Sequence, residues 1–160
     1  MNDAVVALCT QLAQELQGRG WMLATAESCT GGLIAAACTE LSGSSNWFER
    51  GFVTYSNEAK AESLGVDPAL IAQHGAVSEV VARAMAFGAV RHSRAQVSVA
   101  VTGVAGPTGG TPQKPVGTVW FGFQVHGQLT SETRRFDGDR AAIRAATVQH
   151  ALQRLLQLLP

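Results

Sequence analysis

The sequence places a serine where a buried strand is expected to give way to a helix. Residues 21–24 form a short apolar run, residues 27–30 are small or polar, and a helical apolar pattern begins after Gly31-Gly32. A turn between a strand and a helix lifts a side chain out of the fold and leaves free backbone N–H groups beside it. Ser28 lies in this turn, and the two glycines allow the backbone to approach a ligand closely. The stretch therefore predicts a nucleophile with an oxyanion site next to it.

A structural role for this serine is the competing interpretation. Serine and threonine before a helix most often act as N-caps, and paired glycines most often form a turn. A serine hydroxyl is also a weak nucleophile that needs a base within hydrogen-bond distance. The histidines lie in predicted helices or a turn, none of them obviously near Ser28, so a Ser-His-Asp triad is the weaker hypothesis. They are His74, His92, His126 and His150.

Residues 53–60, Val-Thr-Tyr-Ser-Asn-Glu-Ala-Lys, supply a different base. Tyr55 is the only tyrosine, and Lys60 is one of two lysines in a chain that otherwise takes its positive charge from arginine. A desolvated lysine can lose its proton, whereas arginine stays protonated. A Ser28–Lys60 dyad, with Tyr55 relaying a proton or orienting the lysine, requires two strand ends to meet at one edge of a sheet. A core tyrosine and a surface lysine are the alternative.

A glycine-rich loop after the predicted strand 97–101 is the third candidate. Backbone N–H groups in such a loop can cradle a phosphate or a carboxylate, and loops of this length are usually functional. The pattern is neither a P-loop nor a dinucleotide-binding fingerprint, and a long irregular turn is the alternative. No His, Cys, Asp and Glu cluster has metal-ligand spacing, so no metal is expected. The candidate binding residues of the loop are Thr102, Gly103, Ala105, Gly106, Gly109 and Gly110.

Composition excludes several classes of protein. With 160 residues and 46% hydrophobic content, the chain is expected to form one domain over residues 1–160. Twelve basic residues balance twelve acidic ones, which argues against a nucleic-acid partner. No apolar run is long enough for a membrane span, and the first residues lack a signal-peptide pattern. Three cysteines without a C-x-x-C pair fit a reducing cytoplasm.

Helical and strand patterns alternate along the chain. With Asp3 as a cap, the periodicity predicts a first helix over 3–18, and a hairpin turn is expected at His126-Gly127. Strands alternating with helices, plus one hairpin, predict a three-layer α/β/α sandwich with a mixed, mostly parallel sheet. The other predicted helices start at 33, 57, 68, 79 and 139, and the predicted strands cover 21–24, 52–55, 97–101, 118–125 and 129–136.

Four segments of the chain match a known pattern: residues 26–32 (Ala-Glu-Ser-Cys-Thr-Gly-Gly), 53–60, 102–107 (Thr-Gly-Val-Ala-Gly-Pro) and 114–119 (Lys-Pro-Val-Gly-Thr-Val). Together they resemble the CinA C-terminal domain family, which has them in the same order. The resemblance covers nearly the whole chain. Thr108 departs from the family pattern, because many members have glycine there, and this leaves the phosphate and ribose contacts open.

This resemblance implies an activity, because the characterised activity of the family is that of a nicotinamide-nucleotide amidohydrolase. It implies hydrolysis of the carboxamide of nicotinamide mononucleotide to nicotinate mononucleotide and ammonia, within the pyridine nucleotide cycle. Ser28 is then the nucleophile, Tyr55 and Lys60 assist it, and neither a metal nor another cofactor is required. Larger members carry an extra N-terminal domain, so the chain resembles the stand-alone form. A homodimer is expected from the same resemblance.

These roles predict a mechanism. Neutral Lys60, directly or through Tyr55, takes the proton of Ser28 while the serine oxygen attacks the amide carbon. Backbone N–H groups around Thr30, Gly31 and residues 102–103 are expected to hold the oxyanion.

The predicted binding site extends to the last helix. The glycine-rich loop, with Arg140 or Arg144 at the start of that helix, is expected to hold the 5′-phosphate, and solvated arginines are the alternative. Gly32 and Asn57 complete the predicted substrate-binding residues. Two rival functions remain at this point: a non-catalytic nucleotide-binding module, with Ser28 as a cap and Lys60 as a phosphate ligand, and an amidase for another small amide.

Overall fold

Helices and strands alternate over most of the chain, of which the computed structural model describes residues 2–160. A short 3₁₀ helix, Ser44–Asn46, precedes the second strand. In chain order the main elements are α1 (Asp3–Arg19), β1 (Leu23–Glu27), α2 (Leu33–Thr39), β2 (Phe48–Val53), α3 (Asn57–Leu64), α4 (Pro68–His74), α5 (Glu79–Arg91), β3 (Val97–Gly103), β4 (Thr118–Val125), β5 (Gln128–Arg135) and α6 (Arg140–Leu158).

The strands form one mixed sheet in the order β2-β1-β3-β4-β5. The pairs β1–β2 and β1–β3 are parallel, and the pairs β3–β4 and β4–β5 are antiparallel. Only β4 therefore runs against the other four strands of the sheet. The parallel strands bring the carboxyl ends of β1, β2 and β3 to one edge, as the predicted dyad requires.

Two apolar layers cover the sheet. Helices α1, α2 and α6 pack on one face, and α3, α4 and α5 pack on the other. Strand β3 shows the division directly, because Val97, Val99 and Val101 face the first layer while Ala100 faces the second. Gly122 on β4 lets α5 approach, since a Cβ there would lie 2.3 Å from the carbonyl oxygen of Ala82. The predicted three-layer α/β architecture is confirmed.

The first two strands differ from their predicted positions. Strand β1 extends to Glu27 rather than ending at residue 24, because the carboxylate of Glu27 is buried with its hydrogen-bond donors at the start of α2. Strand β2 covers 48–53 rather than 52–55. It lies at the sheet edge and pairs only with β1, so many of its side chains are exposed and its sequence lacks a buried-strand pattern.

Polar side chains cap several of the helices. Ser56, Asp67, Ser78 and Asp139 each accept a hydrogen bond from the first turn of the helix that follows. The prediction that Asp3 caps α1 was wrong, because the cap is Asn2, whose Oδ1 accepts from the N–H of Val5 at 2.9 Å. Within residues 2–160, no helix combines the length and the apolar character needed to cross a bilayer.

Candidate active site

Ser28 lies in the first residue position after β1, at the carboxyl edge of the sheet. Its N–H donates to the carbonyl oxygen of Val101 on β3 at 3.1 Å, which holds it against the neighbouring strand end. Its own carbonyl oxygen accepts from the N–H of Gly31 at 3.1 Å and closes a tight turn. Gly31 has φ +58° and Gly32 φ +106°, conformations that favour glycine. We call residues 27–31 the nucleophile turn.

The side chain of Lys60 reaches the nucleophile turn from the first helical turn of α3. Its Nζ lies 3.1 Å from Ser28 Oγ, 2.9 Å from the carbonyl oxygen of Thr54 and 3.3 Å from that of Tyr55. Lys60 is 1% exposed and Ser28 is 9% exposed. No carboxylate contacts Nζ among the described residues, so this buried lysine has a serine and two carbonyl groups as its polar partners.

Burial favours the neutral amine of Lys60. Burial lowers the pKa of Lys60 from its ordinary value, because a buried ammonium ion loses its hydration. A neutral amine has two N–H donors and one lone pair. In the neutral state the carbonyl oxygens of Thr54 and Tyr55, which can only accept, would take the two donors, and the lone pair would face the hydroxyl of Ser28. A general base and its nucleophile require such an arrangement.

The side chain of Tyr55 lies farther out. It is 66% exposed, and its hydroxyl accepts a hydrogen bond from Arg140 Nη2 at 3.4 Å. The contact of Tyr55 with Lys60 runs through its backbone carbonyl. Lys60 meets Ser28 directly, so this geometry does not require Tyr55 as a proton relay.

A buried carboxylate supports the nucleophile turn from inside. Glu27 is fully buried and accepts from the hydroxyl of Thr30 at 2.5 Å and from the N–H groups of Ile34 and Ala35 at 2.8 and 2.9 Å. These N–H groups belong to the first turn of α2, where a carboxylate is favoured. No role was predicted for Glu27 from the sequence. The three-residue spacing to Thr30 was the available signal, and it did not show that Glu27 would be buried.

Two arginines of α6 reach the same region. Arg144 donates to the carbonyl oxygens of Cys29 and Thr30 at 3.1 and 3.2 Å. Arg140, one turn earlier, donates through Nη1 to the carbonyl oxygen of Gly106 at 2.8 Å. Arg144 was one of two candidates for a phosphate ligand, but its guanidinium group is engaged with the nucleophile turn.

A cavity of about 230 Å³ opens in front of Ser28 and Lys60. Eight of its lining residues belong to the predicted site: Ser28, Tyr55, Asn57, Lys60, Thr102, Gly103, Ala105 and Arg140. Cys29, Ala76 and Val77 line it without having been predicted to bind substrate. Ala76 is brought there because its carbonyl oxygen accepts from the hydroxyl of Thr102 at 2.9 Å. No histidine is among the lining residues.

Six predicted binding residues lie outside this lining: Thr30, Gly31, Gly32, Gly106, Gly109 and Gly110. The Thr30 hydroxyl donates to Glu27, and the N–H of Gly31 donates to the carbonyl oxygen of Ser28. The expectation that the N–H of Gly31 holds an oxyanion is therefore corrected, because that donor closes the turn. Within residues 2–160, the N–H groups of Cys29 and Thr30 donate to no backbone acceptor, so they are the N–H groups of this turn that an oxyanion could accept from.

Cys29 is next to Ser28, but its thiol is buried and not activated. Burial raises the pKa of Cys29 to about 12, so the thiol stays protonated at neutral pH. Cys9, Cys29 and Cys38 are all buried and free. No group of three or more His, Cys, Asp and Glu residues in the described chain is placed to hold a metal ion.

Comparisons with known proteins agree on one family. A family model described as the CinA C-terminal domain matches residues 6–159. The chain is 51% identical over 159 residues to nicotinamide-nucleotide amidohydrolase PncC of Escherichia coli K12, covering 98% of this chain and 96% of that protein. It is 53% identical to PncC of Pseudomonas putida, with 98% of both chains covered. The crystal structure of competence/damage inducible protein CihA from Agrobacterium tumefaciens superposes with a TM-score of 0.95 at 45% identity, covering 99% of this chain and 97% of that one.

Proposed function

Because this chain belongs to the CinA C-terminal domain family, we propose that it hydrolyses nicotinamide mononucleotide to nicotinate mononucleotide and ammonia. The names of the Escherichia coli and Pseudomonas putida relatives support this substrate, since both are nicotinamide-nucleotide amidohydrolases that match along nearly their whole length. The single observation that carries the chemistry is the buried contact of 3.1 Å between Lys60 Nζ and Ser28 Oγ. It supports a serine amidase whose general base is a lysine.

The first chemical step forms an acyl-enzyme. Ser28 Oγ attacks the carboxamide carbon, and its proton moves to the lone pair of Lys60. The negative charge that develops on the carbonyl oxygen is placed near the free N–H groups of Cys29 and Thr30. An oxyanion donor of this kind is typically worth about 3 kcal/mol in the transition state.

The second half of the reaction uses the same lysine in the reverse direction. Protonated Lys60 gives its proton to the departing amide nitrogen, which leaves as ammonia. Lys60 is then neutral again and takes a proton from a water molecule that attacks the acyl carbon. The C–O bond to Ser28 breaks, the serine recovers its proton, and nicotinate mononucleotide is released.

The surroundings of the dyad support an anionic nucleotide as the substrate. Arg140 lines the dyad cavity and also a second cavity of about 470 Å³, whose lining includes Ala105, Pro107 and Asp139. A ligand whose amide reaches Ser28 can therefore extend past Arg140 towards the glycine-rich loop. The guanidinium group of Arg140 is suited to pair with a phosphate. Because the hydroxyl of Tyr55 contacts Arg140, we assign Tyr55 to the phosphate end of the substrate as well.

We further propose that the enzyme works in the cytoplasm as a homodimer, within the pyridine nucleotide cycle. The three free cysteines fit a reducing compartment, and the dimer is an expectation that comes from the family resemblance. Gel filtration with light scattering checks the dimer. A molecular mass of one chain at micromolar concentration would contradict it.

Ammonia release by the purified chain tests the proposed reaction. Nicotinamide mononucleotide is compared with nicotinamide and nicotinamide riboside, and we expect release from the mononucleotide above all. Lys60→Met should abolish release, while Lys114→Met, which changes the other lysine and leaves the dyad intact, should retain kcat. Release from a smaller amide instead would indicate an amidase with a different substrate. Nucleotide binding without release of ammonia would favour the non-catalytic binding module.

The pH dependence of kcat/KM tests the base. Lys60 must be neutral to accept the proton of Ser28, and its pKa is lowered by burial. The rate should therefore fall as the pH drops below that pKa, by about tenfold per pH unit, and level off above it. A rate that is constant from pH 5 to pH 10 would remove Lys60 as the base.

A further inference from the structure

Arg144 contacts the nucleophile turn from the side of α6. Its Nε donates to the carbonyl oxygen of Cys29 at 3.1 Å, and its Nη2 donates to that of Thr30 at 3.2 Å. The side chain is half-buried and lies close to the turn, because a Cβ on Gly31 would be 3.4 Å from Nη2. Two parallel N–H donors on one planar group fix both peptide units together.

The orientation of these peptide units decides where their N–H groups point. The carbonyl of Cys29 and the N–H of Thr30 belong to the same trans peptide and therefore point in opposite directions. Arg144 holds the carbonyl on the α6 side, so the N–H is turned away from α6. A charged donor on the carbonyl oxygen also polarises the peptide, which strengthens its N–H as a donor. This N–H has no acceptor within residues 2–160.

Helix α6 joins this turn to the glycine-rich loop. Arg140 and Arg144 are four residues apart, so both lie on one face of the helix. Arg140 holds the carbonyl oxygen of Gly106, and Arg144 holds the nucleophile turn. Asp139 caps the helix by accepting from the N–H of Ala142 at 2.9 Å. The two walls of the substrate cavity are therefore tied to one rigid element.

We propose that Arg144 is a positioning residue of the reaction, which sets the orientation of the Cys29–Thr30 peptide and thereby the oxyanion donor beside Ser28. The proposal rests on the proposed amidase function and deepens it. Arg144 does not line the substrate cavity, so it acts through the turn rather than through contact with the substrate.

The test compares Arg144→Ala with Arg144→Lys in steady-state deamidation of nicotinamide mononucleotide. For Arg144→Ala we expect kcat to fall by about 10- to 100-fold, since misplacement by an ångström costs up to that much, while KM changes little. Arg144→Lys should recover part of kcat, because a lysine ammonium group can replace one of the two hydrogen bonds but cannot supply the planar pair of donors that arginine has. Millimolar guanidinium ion added to Arg144→Ala should raise kcat, because the ion can bind where the guanidinium group of Arg144 was. Sodium chloride at the same concentration should not raise it.

Arg154→Ala is the matched control. Arg154 lies on the same helix, and its Nε donates to Glu132 at 2.7 Å, far along α6 from the nucleophile turn. Its loss removes an arginine with a similar number of hydrogen bonds, so we expect an unchanged kcat and no response to guanidinium.

The outcomes separate this inference from the proposed function. No ammonia from the wild-type chain would overturn both. Wild-type release with an unchanged kcat in Arg144→Ala would overturn the positioning role alone. A loss of kcat that neither guanidinium nor lysine restores, together with a lower melting temperature, would assign Arg144 to stability and also overturn it.

Discussion

The nucleophile turn and the glycine-rich loop, residues 102–115, border the same cavity but are held in different ways. In the turn, Glu27 accepts three hydrogen bonds, Arg144 donates two and Lys60 contacts Ser28, all from side chains. In the loop, Arg140 holds Gly106 and the side chain of Lys114 anchors the far end to His74. Between Gly106 and Lys114, two glycines, Gly109 and Gly110, have positive φ angles. A nucleophile needs one fixed geometry, whereas a binding loop can adapt to its ligand.

The two lysines of the chain show the same difference. Each donates from Nζ to a carbonyl oxygen, Lys60 to Thr54 at 2.9 Å and Lys114 to His74 at 2.8 Å. Lys60 is buried and has the hydroxyl of Ser28 as a further partner, while Lys114 is only half-buried. Burial rather than residue type is what suits Lys60 to the proposed role of base, because desolvation is what frees the lone pair of a lysine at moderate pH.

Removing the nucleophile should give the largest effect. We expect Ser28→Ala to lower kcat by about 10⁴-fold or more, as is typical when a nucleophile is lost. The melting temperature should stay close to that of the wild type, because the hydroxyl contacts only Lys60. Ammonia release and thermal unfolding are measured on the same preparation. Full activity in this variant would rule out Ser28 as the nucleophile.

Loss of the carboxylate under the turn should be the next largest effect. Glu27→Ala leaves the N–H groups of Ile34 and Ala35 and the hydroxyl of Thr30 without their acceptor. We expect the free energy of unfolding to fall by about 3 kcal/mol, with kcat reduced as well, because buried unsatisfied donors each cost 1–3 kcal/mol. Urea denaturation measures this. Glu40→Ala, at the exposed opposite end of α2, is the control and should cost less than about 0.5 kcal/mol.

Lys60→Met should change the pH dependence of stability. The pKa of Lys60 is lower in the folded chain than in the unfolded chain, so between these two values only the unfolded chain holds the extra proton. Wild-type stability should therefore rise with pH through this window, by up to about 1.4 kcal/mol per unit, and reach its full value above the unfolded pKa.

Methionine has no such proton, so Lys60→Met should gain stability relative to the wild type at low pH, and the gain should shrink as the pH rises. Urea denaturation at a series of pH values from 6 to 10 measures the gap. If the difference in free energy of unfolding between the two proteins does not change with pH, Lys60 has the same pKa in the folded and the unfolded chain, and the prediction is wrong.

The smallest effect is expected in the glycine-rich loop. Gly109 has φ +81°, and a Cβ there would meet only Val104 Cγ1, at 3.6 Å. Gly109→Ala should therefore cost only the backbone strain of about 1–2 kcal/mol. KM should rise a few-fold while kcat is unchanged, since the dyad is untouched. A large loss of kcat would place the loop in the chemical step and remove the contrast with the nucleophile turn.

The residues most easily found from the sequence were those with a local signal. Strand β4 was predicted with its bounds, and helices α3, α4 and α5 begin at the predicted residues 57, 68 and 79. Strand β2 was displaced because an edge strand does not need an apolar pattern. Glu27 and Arg144 were not assigned to the nucleophile turn, since a buried carboxylate and an arginine 115 residues from Cys29 acquire their partners only through packing.

The sequence by itself determined which groups can do chemistry, because residue types are local. It contains one tyrosine and two lysines, one of them in the segment 53–60, a serine before two glycines, and a loop rich in glycine. The tertiary structure alone decided that Lys60 and Ser28 meet, 32 residues apart in the chain. The parallel pairing of β1 with β2 brings the two strand ends to one edge, and the fold leaves only 1% of Lys60 exposed. The short distance and the desolvation that the proposed lysine base requires are properties of the folded chain.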